Sequence, residues 1–309
     1  MTRHFGEHVL PVKWLTESLE AIHETTGLPW WATISITTVI FKSVLTFPLA
    51  VLATKNKNRL LLLNPELQKR IQSLRHEVEV FGHHTGLNKE YDKRIMFYKQ
   101  KKRLKRKFYV EKNVHPMKSF ASVFTQLPLW VYLSFALRHL SGGFLMENVD
   151  ARVIKSPGML TEGTLWFTDL TVPDPTLLLP IIMCVTNLTN IQLMVWDAKS
   201  QGMKPALIGR IFVAVGRFFS VMIIPLGTIV PSALVLYWTV SAFYALIQNI
   251  ALRNERVMLA LGIPILPKKP PPPNIVGSYP PKKKKTKGSK TKDNNKEQKD
   301  EDIKEERSS

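Results

Sequence analysis

The sequence predicts an all-α polytopic membrane protein, with five transmembrane helices, a basic helical hairpin on one side and a disordered basic tail. Three observations carry that prediction. The 309 residues are 45% apolar, which suits a globular protein, yet apolar and charged residues are sharply segregated. Five runs of about 20 residues contain no Asp or Glu, and each matches the ~30 Å of a hydrocarbon core. The 43 Lys and Arg outnumber 24 Asp and Glu, a net charge of +19, and they concentrate in alternate blocks between the runs.

Residues 1–29 form an N-terminal segment with Arg3 and Lys13 against four glutamates. The first span, 30–53, lies between Gly27-Leu28-Pro29 and Lys55 and Lys57. Residues 54–118 carry 18 Lys or Arg against six acids and form the hairpin. The second span is 119–140. The loop 141–176 has only Arg152 and Lys155 against five acids. The third span, 177–196, is followed by a short loop, 197–207, with Lys199 and Lys204. The fourth span, 208–228, turns at Val230-Pro231 into the fifth, 232–252, and the tail is 253–309. Spans of this length are helices, because backbone groups in hydrocarbon need partners within the segment. Charge-rich and charge-poor blocks alternate, which sets the N-terminus outside and the C-terminus inside.

The hairpin's first arm is expected to begin at Asn64-Pro65-Glu66, with Asn64 as cap and Pro65 as first helical residue. Leu67, Ile71, Leu74 and Val78 then recur at helical spacing. Phe81 to Leu87 give the turn, with His83 and His84 at its tip, and Asn88 caps the second arm. Tyr91, Ile95, Tyr98 and Leu104 form that arm's apolar stripe. Lys93, Arg94, Lys101, Lys102, Arg103, Lys105, Arg106 and Lys107 form a basic surface. It is either a solvated face that enforces topology or a contact for acidic headgroups, ribosomal RNA or a nascent chain. The tail's Pro270–Pro273, Lys282–Lys285 and mixed Lys/Glu run cannot bury a core.

Catalytic chemistry has no foothold here. The single cysteine, Cys184, excludes a disulfide framework and any CxxC site. A Gly-rich phosphate loop and a G-x-S-x-G elbow are absent, so no enzyme, cofactor or metal is expected.

The absence of acids within the spans argues against an ion-coupled carrier. Lys42, however, lies near the middle of the first span, about 18 Å from either end at ~1.5 Å per residue. Its stem cannot reach an interface from there, so it is expected to face a hydrated groove. Arg217, seven residues past Arg210, either reaches the inner surface or adds to that groove. Neutral polar residues complete the set: Gln126, Asn187, Asn190, and the stripe Tyr237, Ser241, Tyr244, Gln248. Part of this set is ordinary interhelical hydrogen bonding.

Four motifs in order, IFKSVLTFPL (40–49), TQLPLWVYLSFALR (125–138), LWFTDLTVPDP (165–175) and VPSALVLYWTVSAFYALIQN (230–249), resemble the membrane core of YidC-type insertases. The resemblance covers about residues 10 to 255. TGLPWW (26–31) and the LSFALRHLS run look closest to the mitochondrial branch devoted to cytochrome c oxidase assembly. That resemblance implies a multi-pass protein of the mitochondrial inner membrane, with the hairpin and tail in the matrix and 1–29 and 141–176 in the intermembrane space. It implies a groove open to matrix and lipid and closed on the far side. It further implies that the substrate is cytochrome c oxidase subunit 2, whose C-terminal domain is exported, with oxidase assembly factors and lipid as partners. The mitoribosome or anionic lipid would meet the basic hairpin and tail. The family's first core helix usually carries arginine where Lys42 stands, and long basic tails are more typical of its ribosome-binding branch. Residues 1–29 are a poor transit peptide, so mitochondrial placement rests on the resemblance. A general co-translational insertase, a small-solute carrier and a pure assembly scaffold are the rival readings.

Overall fold

The computed structural model describes residues 10–84, 90–142, 156–201 and 207–267. Among these the chain is helical, with a lone bridge between Thr164 and Phe167. Helix α1 (Leu10–Thr26) leads into α2 (Trp30–Phe41), a π-helical turn (Lys42–Thr46) and α3 (Phe47–His84). Then come α4 (Glu90–Glu111), a 3-10 turn (Pro116–Phe120), α5 (Ala121–Leu140), a second 3-10 turn (Pro157–Leu160), α6 (Leu178–Ser200), α7 (Leu207–Leu226), α8 (Ser232–Ala251) and α9 (Glu255–Ala260).

Four helical stretches are long and apolar enough to cross a membrane: the one starting at Trp30, α6, α7 and α8. Helix α5 has the length but is more polar, with Gln126, Ser134, Arg138 and His139 on it. It completes the bundle by packing on α1 and α8. At the centre stands α8, which meets α2, α5 and α6 and is buried from Ser232 to Thr239. Helix α7 packs on α6 and turns Phe212, Phe218 and Phe219 outward. An apolar rim of that kind is what lipid solvates, whereas α8 needs neighbours for its Thr239 and Ser241.

Several boundaries differ from the expectation. The helix that carries the first span does not stop at 53. From Trp30 to His84 the chain stays helical, and the first arm of the hairpin is the span continued, about 80 Å in all. Asn64-Pro65 therefore starts nothing. Pro65 lies inside α3 with its ring exposed, and the Asn64 side chain accepts from Gln68 Nε2 at 3.2 Å. Helix continues through the proline because burial of Leu67, Ile71, Leu74 and Val78 outweighs one lost backbone bond.

In α4 the buried residues are Phe97 and Phe108, with Met96, Leu104 and Tyr109 against them. Tyr91, Ile95 and Tyr98 face outward, so of the expected stripe only Leu104 packs on α3. Positions 97, 104 and 108 share a face at ~100° per residue, and the two phenylalanines offered the larger apolar area. The turn residues 85–89, Asn88 among them, lie outside the described residues.

Two further corrections sit at the termini. Residues 10–26 form α1, whose Val12, Thr16 and Leu19 are buried while Trp14 stays exposed. The tail does not begin at 253. Helix α9 and residues to 267 fold back on α3, where Met258 and Ile263 join Ala50 and Leu252 in a small core, and Asn58 Nδ2 donates to the Pro264 carbonyl at 2.8 Å. The proline run and lysine clusters lie outside the described residues.

Candidate substrate groove

The bundle has two unlike ends. At the closed end, residues 156–176 and α1 cover the helix termini. Trp30, Met159, Phe167, Leu170, Leu179 and Val230 are all buried in one apolar cluster there. Polar groups stitch this end shut. Glu162 Oε2 accepts from the Trp30 N–H at 3.0 Å, and its backbone carbonyl accepts from the Trp31 N–H at 3.2 Å. Asp174, 1% exposed, accepts from the N–H groups of Thr176 and Leu179, from the Thr176 hydroxyl and from Trp166 Nε1. Burial opposes the Asp174 charge, yet those donors outweigh it and hold the carboxyl below its ordinary value. The loop also grips α8, since Ser232 and Ala233 donate to the carbonyls of Val172 and Leu170.

Lys42 opens the π turn and is buried at 6% exposure. It has no ion pair among the described residues. The turn has a cause in the sequence. Pro48 lacks an N–H and cannot give the Val44 carbonyl its ordinary helical bond, and the chain widens just ahead of it. Phe47 N–H reaches back to the Lys42 carbonyl, and the Thr46 hydroxyl donates to that same oxygen at 2.9 Å. Ser43 and Tyr244 hydroxyls meet at 3.0 Å and tie the turn to α8.

Of the other expected groove residues, Tyr237 and Ser241 are buried on α8, which packs on α2, while Gln248 is half-buried further along. Asn190 reaches across from α6: its Nδ2 donates to the Ala242 carbonyl at 3.2 Å, and its Oδ1 accepts from Asn249 at 2.9 Å. Asn187 is half-buried one turn before it. Gln126 is half-buried on α5, which is locked to α8 by the Trp130–Trp238 stack and by Trp238 Nε1 donating to Ser134 at 3.0 Å. Arg217 stands apart. It is exposed on α7 and donates to Gln192 of α6 at 3.2 Å. Lys42 and the α8 and α6 polar residues thus lie on buried or half-buried faces of the bundle, and Arg217 lies on an exposed face of α7 beside α6.

At the open end, a cavity of about 590 Å³ lies between α3, α6, α8 and α9, with Asn190 on its wall. From this end the hairpin rises. Its base is pinned by Arg70, which donates to both Glu111 oxygens (2.9 and 3.0 Å) and to Glu66 (2.8 Å), and its guanidinium lies 5.1 Å from the Phe108 ring centre. Arg70 holds the Glu111 carboxyl below its ordinary value. Of the expected basic surface, Lys102, Arg103, Arg106 and Lys107 face outward, while Lys93, Arg94, Lys101 and Lys105 are half-buried. Lys101 lies over Phe97, where burial, then the charge of Lys105, lowers its pKa from the ordinary value. Sequence reading missed Glu162, Arg70–Glu111 and Asn249, each of which acts through a partner distant along the chain, and Asp174, whose partners Trp166, Thr176 and Leu179 are local but set by the fold of the loop.

Comparison with known proteins gives the family of the chain. The family model described as 60Kd inner membrane protein matches residues 21–258. The chain is 37% identical over 254 residues to "Cytochrome c oxidase assembly protein COX18, mitochondrial" of Homo sapiens, covering 82% of this chain and 74% of that one. It is 31% identical over 240 residues to the cox18 protein of Schizosaccharomyces pombe, covering 78% of this chain and 99% of the relative. "Mitochondrial inner membrane protein OXA1" of Arabidopsis thaliana is 29% identical over 265 residues, and the match spans 54% of that relative.

Proposed function

The chain belongs to the 60Kd inner membrane protein family, the YidC-type group, and on that premise we propose that it is a membrane protein insertase of the mitochondrial inner membrane serving cytochrome c oxidase assembly. Its substrate in this reading is cytochrome c oxidase subunit 2, whose C-terminal domain it passes to the intermembrane space. The single observation that carries the proposal is Lys42, a buried cation with no ion pair among the described residues, held at a π turn against α8. Moving a hydrophilic, acid-bearing segment across hydrocarbon is prohibitively costly, and a polar path part of the way shortens the dry stretch. Lys42 draws acidic groups inward. Gln126, Asn187, Asn190, Tyr237, Ser241 and Gln248 exchange hydrogen bonds with the passing backbone, and Arg217 adds charge from α7. The substrate's apolar helix slides along the lipid-facing side and partitions outward. No cofactor or covalent step is needed, and the protein acts as a translocation chaperone rather than an enzyme.

In this orientation α1 and residues 156–176 face the intermembrane space, and the hairpin, α9 and the tail face the matrix. Subunit 2, its assembly factors and the surrounding lipid are the partners. A second reading, a general co-translational insertase, draws support from the four outward cations Lys102, Arg103, Arg106 and Lys107, which suit the mitoribosome or anionic lipid.

Protease protection in mitoplasts depleted of the protein tests the proposal. The C-terminal domain of newly made subunit 2 stays protected after depletion, and the wild-type chain restores access. Lys42→Ala, at unchanged protein level, restores it about tenfold less well, the worth of one charge-assisted contact. Normal export after depletion rejects the reading. Full rescue by Lys42→Ala leaves a scaffold in its place.

A further inference from the structure

One cation at the open end is already engaged. Arg253, just past α8, lies on the wall of the 590 Å³ cavity, and three groups of α6 fix its guanidinium. Its Nη2 donates to the Leu193 carbonyl at 2.6 Å and to the Asp197 carboxylate at 2.9 Å, and the group lies 5.8 Å from the Trp196 ring centre. This is the arrangement of a carboxylate receptor with its position filled from within. The pair is only part-buried, 25% and 34% exposed, so one carboxylate can replace another at little cost. On the facing wall α3 presents Lys57, exposed and without an ion pair among the described residues, beside Thr54 and Asn58.

We infer that this cavity is the entry site for an acidic polypeptide segment, with Arg253 its carboxylate receptor and Asp197 a stand-in that the segment displaces. The inference rests on the insertase reading and deepens it. Lys57 and Lys42 lie on the same continuous helical stretch, about 22 Å apart at ~1.5 Å per residue, so an acid released by Arg253 next meets Lys42. Polypeptide fits better than a phosphate headgroup for two reasons. The partner Arg253 already accepts is a carboxylate, and Asp197 and Glu255, both on the lining, repel a more highly charged phosphate. The amides of Asn58, Asn190 and Asn249 offer both donors and acceptors, as a peptide backbone requires.

The test uses the full chain in phosphatidylcholine proteoliposomes, with the photocrosslinker benzoylphenylalanine replacing Thr54. The probe is a single-span peptide whose tail carries either four Asp or four Asn. The acidic tail is captured about three- to tenfold more than the neutral one, the range of a charge-assisted hydrogen bond. Asp197→Asn raises that capture. Arg253→Gln removes the preference, whereas Arg253→Lys, which keeps a cation beside Asp197, retains most of it, and the contrast separates lost recognition from lost folding. Equal capture of the two tails by the parent protein overturns the inference. So does loss of capture on adding cardiolipin, with the crosslinks moving to lipid. Capture is read apart from insertion. Acid-selective capture with no insertion of any substrate rejects the insertase reading alone, and normal insertion without charge preference rejects this inference alone.

Discussion

The two ends of the bundle are held by opposite means. The closed end buries Trp30, Met159, Phe167 and Leu170 and spends its carboxylates, Glu162 and Asp174, on backbone N–H groups. Around the cavity at the open end, ion pairs and amide pairs face one another: Arg253 with Asp197, and Asn190 with Asn249. Apolar burial and capping bonds have no ready substitute, because a passing chain cannot replace them without exposing what they cover. Ion pairs and amide pairs do have one, since a passing polypeptide offers the same groups. A sealed end and an exchangeable end are what the proposed blind groove requires.

The largest effect that can break this comparison is core truncation. Trp30→Ala removes a fully buried indole stacked 4.4 Å from the His23 ring and is expected to cost about 3–5 kcal/mol. At the open end Met258→Ala, in the small α3–α9 core, falls at about 2 kcal/mol, the low edge of the range for such truncations. Denaturant unfolding in detergent, followed by tryptophan-independent far-UV signal, measures both. Equal losses would mean that the two ends are sealed alike.

Acid provides the next test. Asp174 is held below its ordinary value of 3.8, so its contribution is complete at neutral pH and declines only as pH falls through the lower, folded value. Stability between pH 7 and 5 is therefore flat with respect to this group, and the loss begins below about pH 4. Asp174→Asn is expected to remove that acid limb and to cost about 1–2 kcal/mol at pH 7, as loss of a helix cap does. Glu111 is depressed in the same sense by Arg70, but this pair is solvent-exposed, so Glu111→Gln shifts hairpin stability slightly and the shift vanishes in high salt. Melting scans from pH 3 to 7 at two ionic strengths distinguish the two carboxylates.

How much of this was legible from residues alone follows the range of the interactions. The apolar runs that became α6, α7 and α8 could be read almost to the residue, because hydrocarbon length and charge exclusion act locally. Lys42, singled out midway along its apolar run, is buried in the bundle. The end of the first span was not, because nothing between Ala53 and Asn64 distinguishes a helix leaving the bilayer from one that stops; the packing of Leu67–Val78 on Phe97 and Phe108 decides it. Tyr91, Ile95 and Tyr98 have helical spacing as good as that of Phe97, Leu104 and Phe108, and only the partner arm selects between the two faces. The residues around 255–265 were hidden in a basic tail because their burial depends on Ala50 and Asn58, some 200 positions earlier. Arg217 was placed in the groove by its charge, and its bond to Gln192 on the outer α6–α7 pair became visible only in three dimensions.

The smallest expected effect concerns the boundary between the two ends. The π turn at Lys42–Thr46 did have a sequence signal, Pro48, because a residue without N–H cannot make the ordinary helical bond to the Val44 carbonyl. Pro48→Ala restores that donor and favours an ordinary α-turn, which removes one residue's worth of widening, about 100° of rotation, between α2 and α3. Both flanks are anchored, α2 at Glu162 and α3 at Asn58, so the strain falls on the Ser43–Tyr244 contact. A Ser43→Cys, Tyr244→Cys pair, bridged by a short bifunctional thiol reagent that replaces the reach of the Tyr244 ring, crosslinks readily with proline at 48 and poorly with alanine, while overall stability changes little. Unchanged crosslinking would mean that α8, rather than Pro48, imposes the π turn, and the widening at Lys42 would then belong to the bundle's packing instead of to this helix.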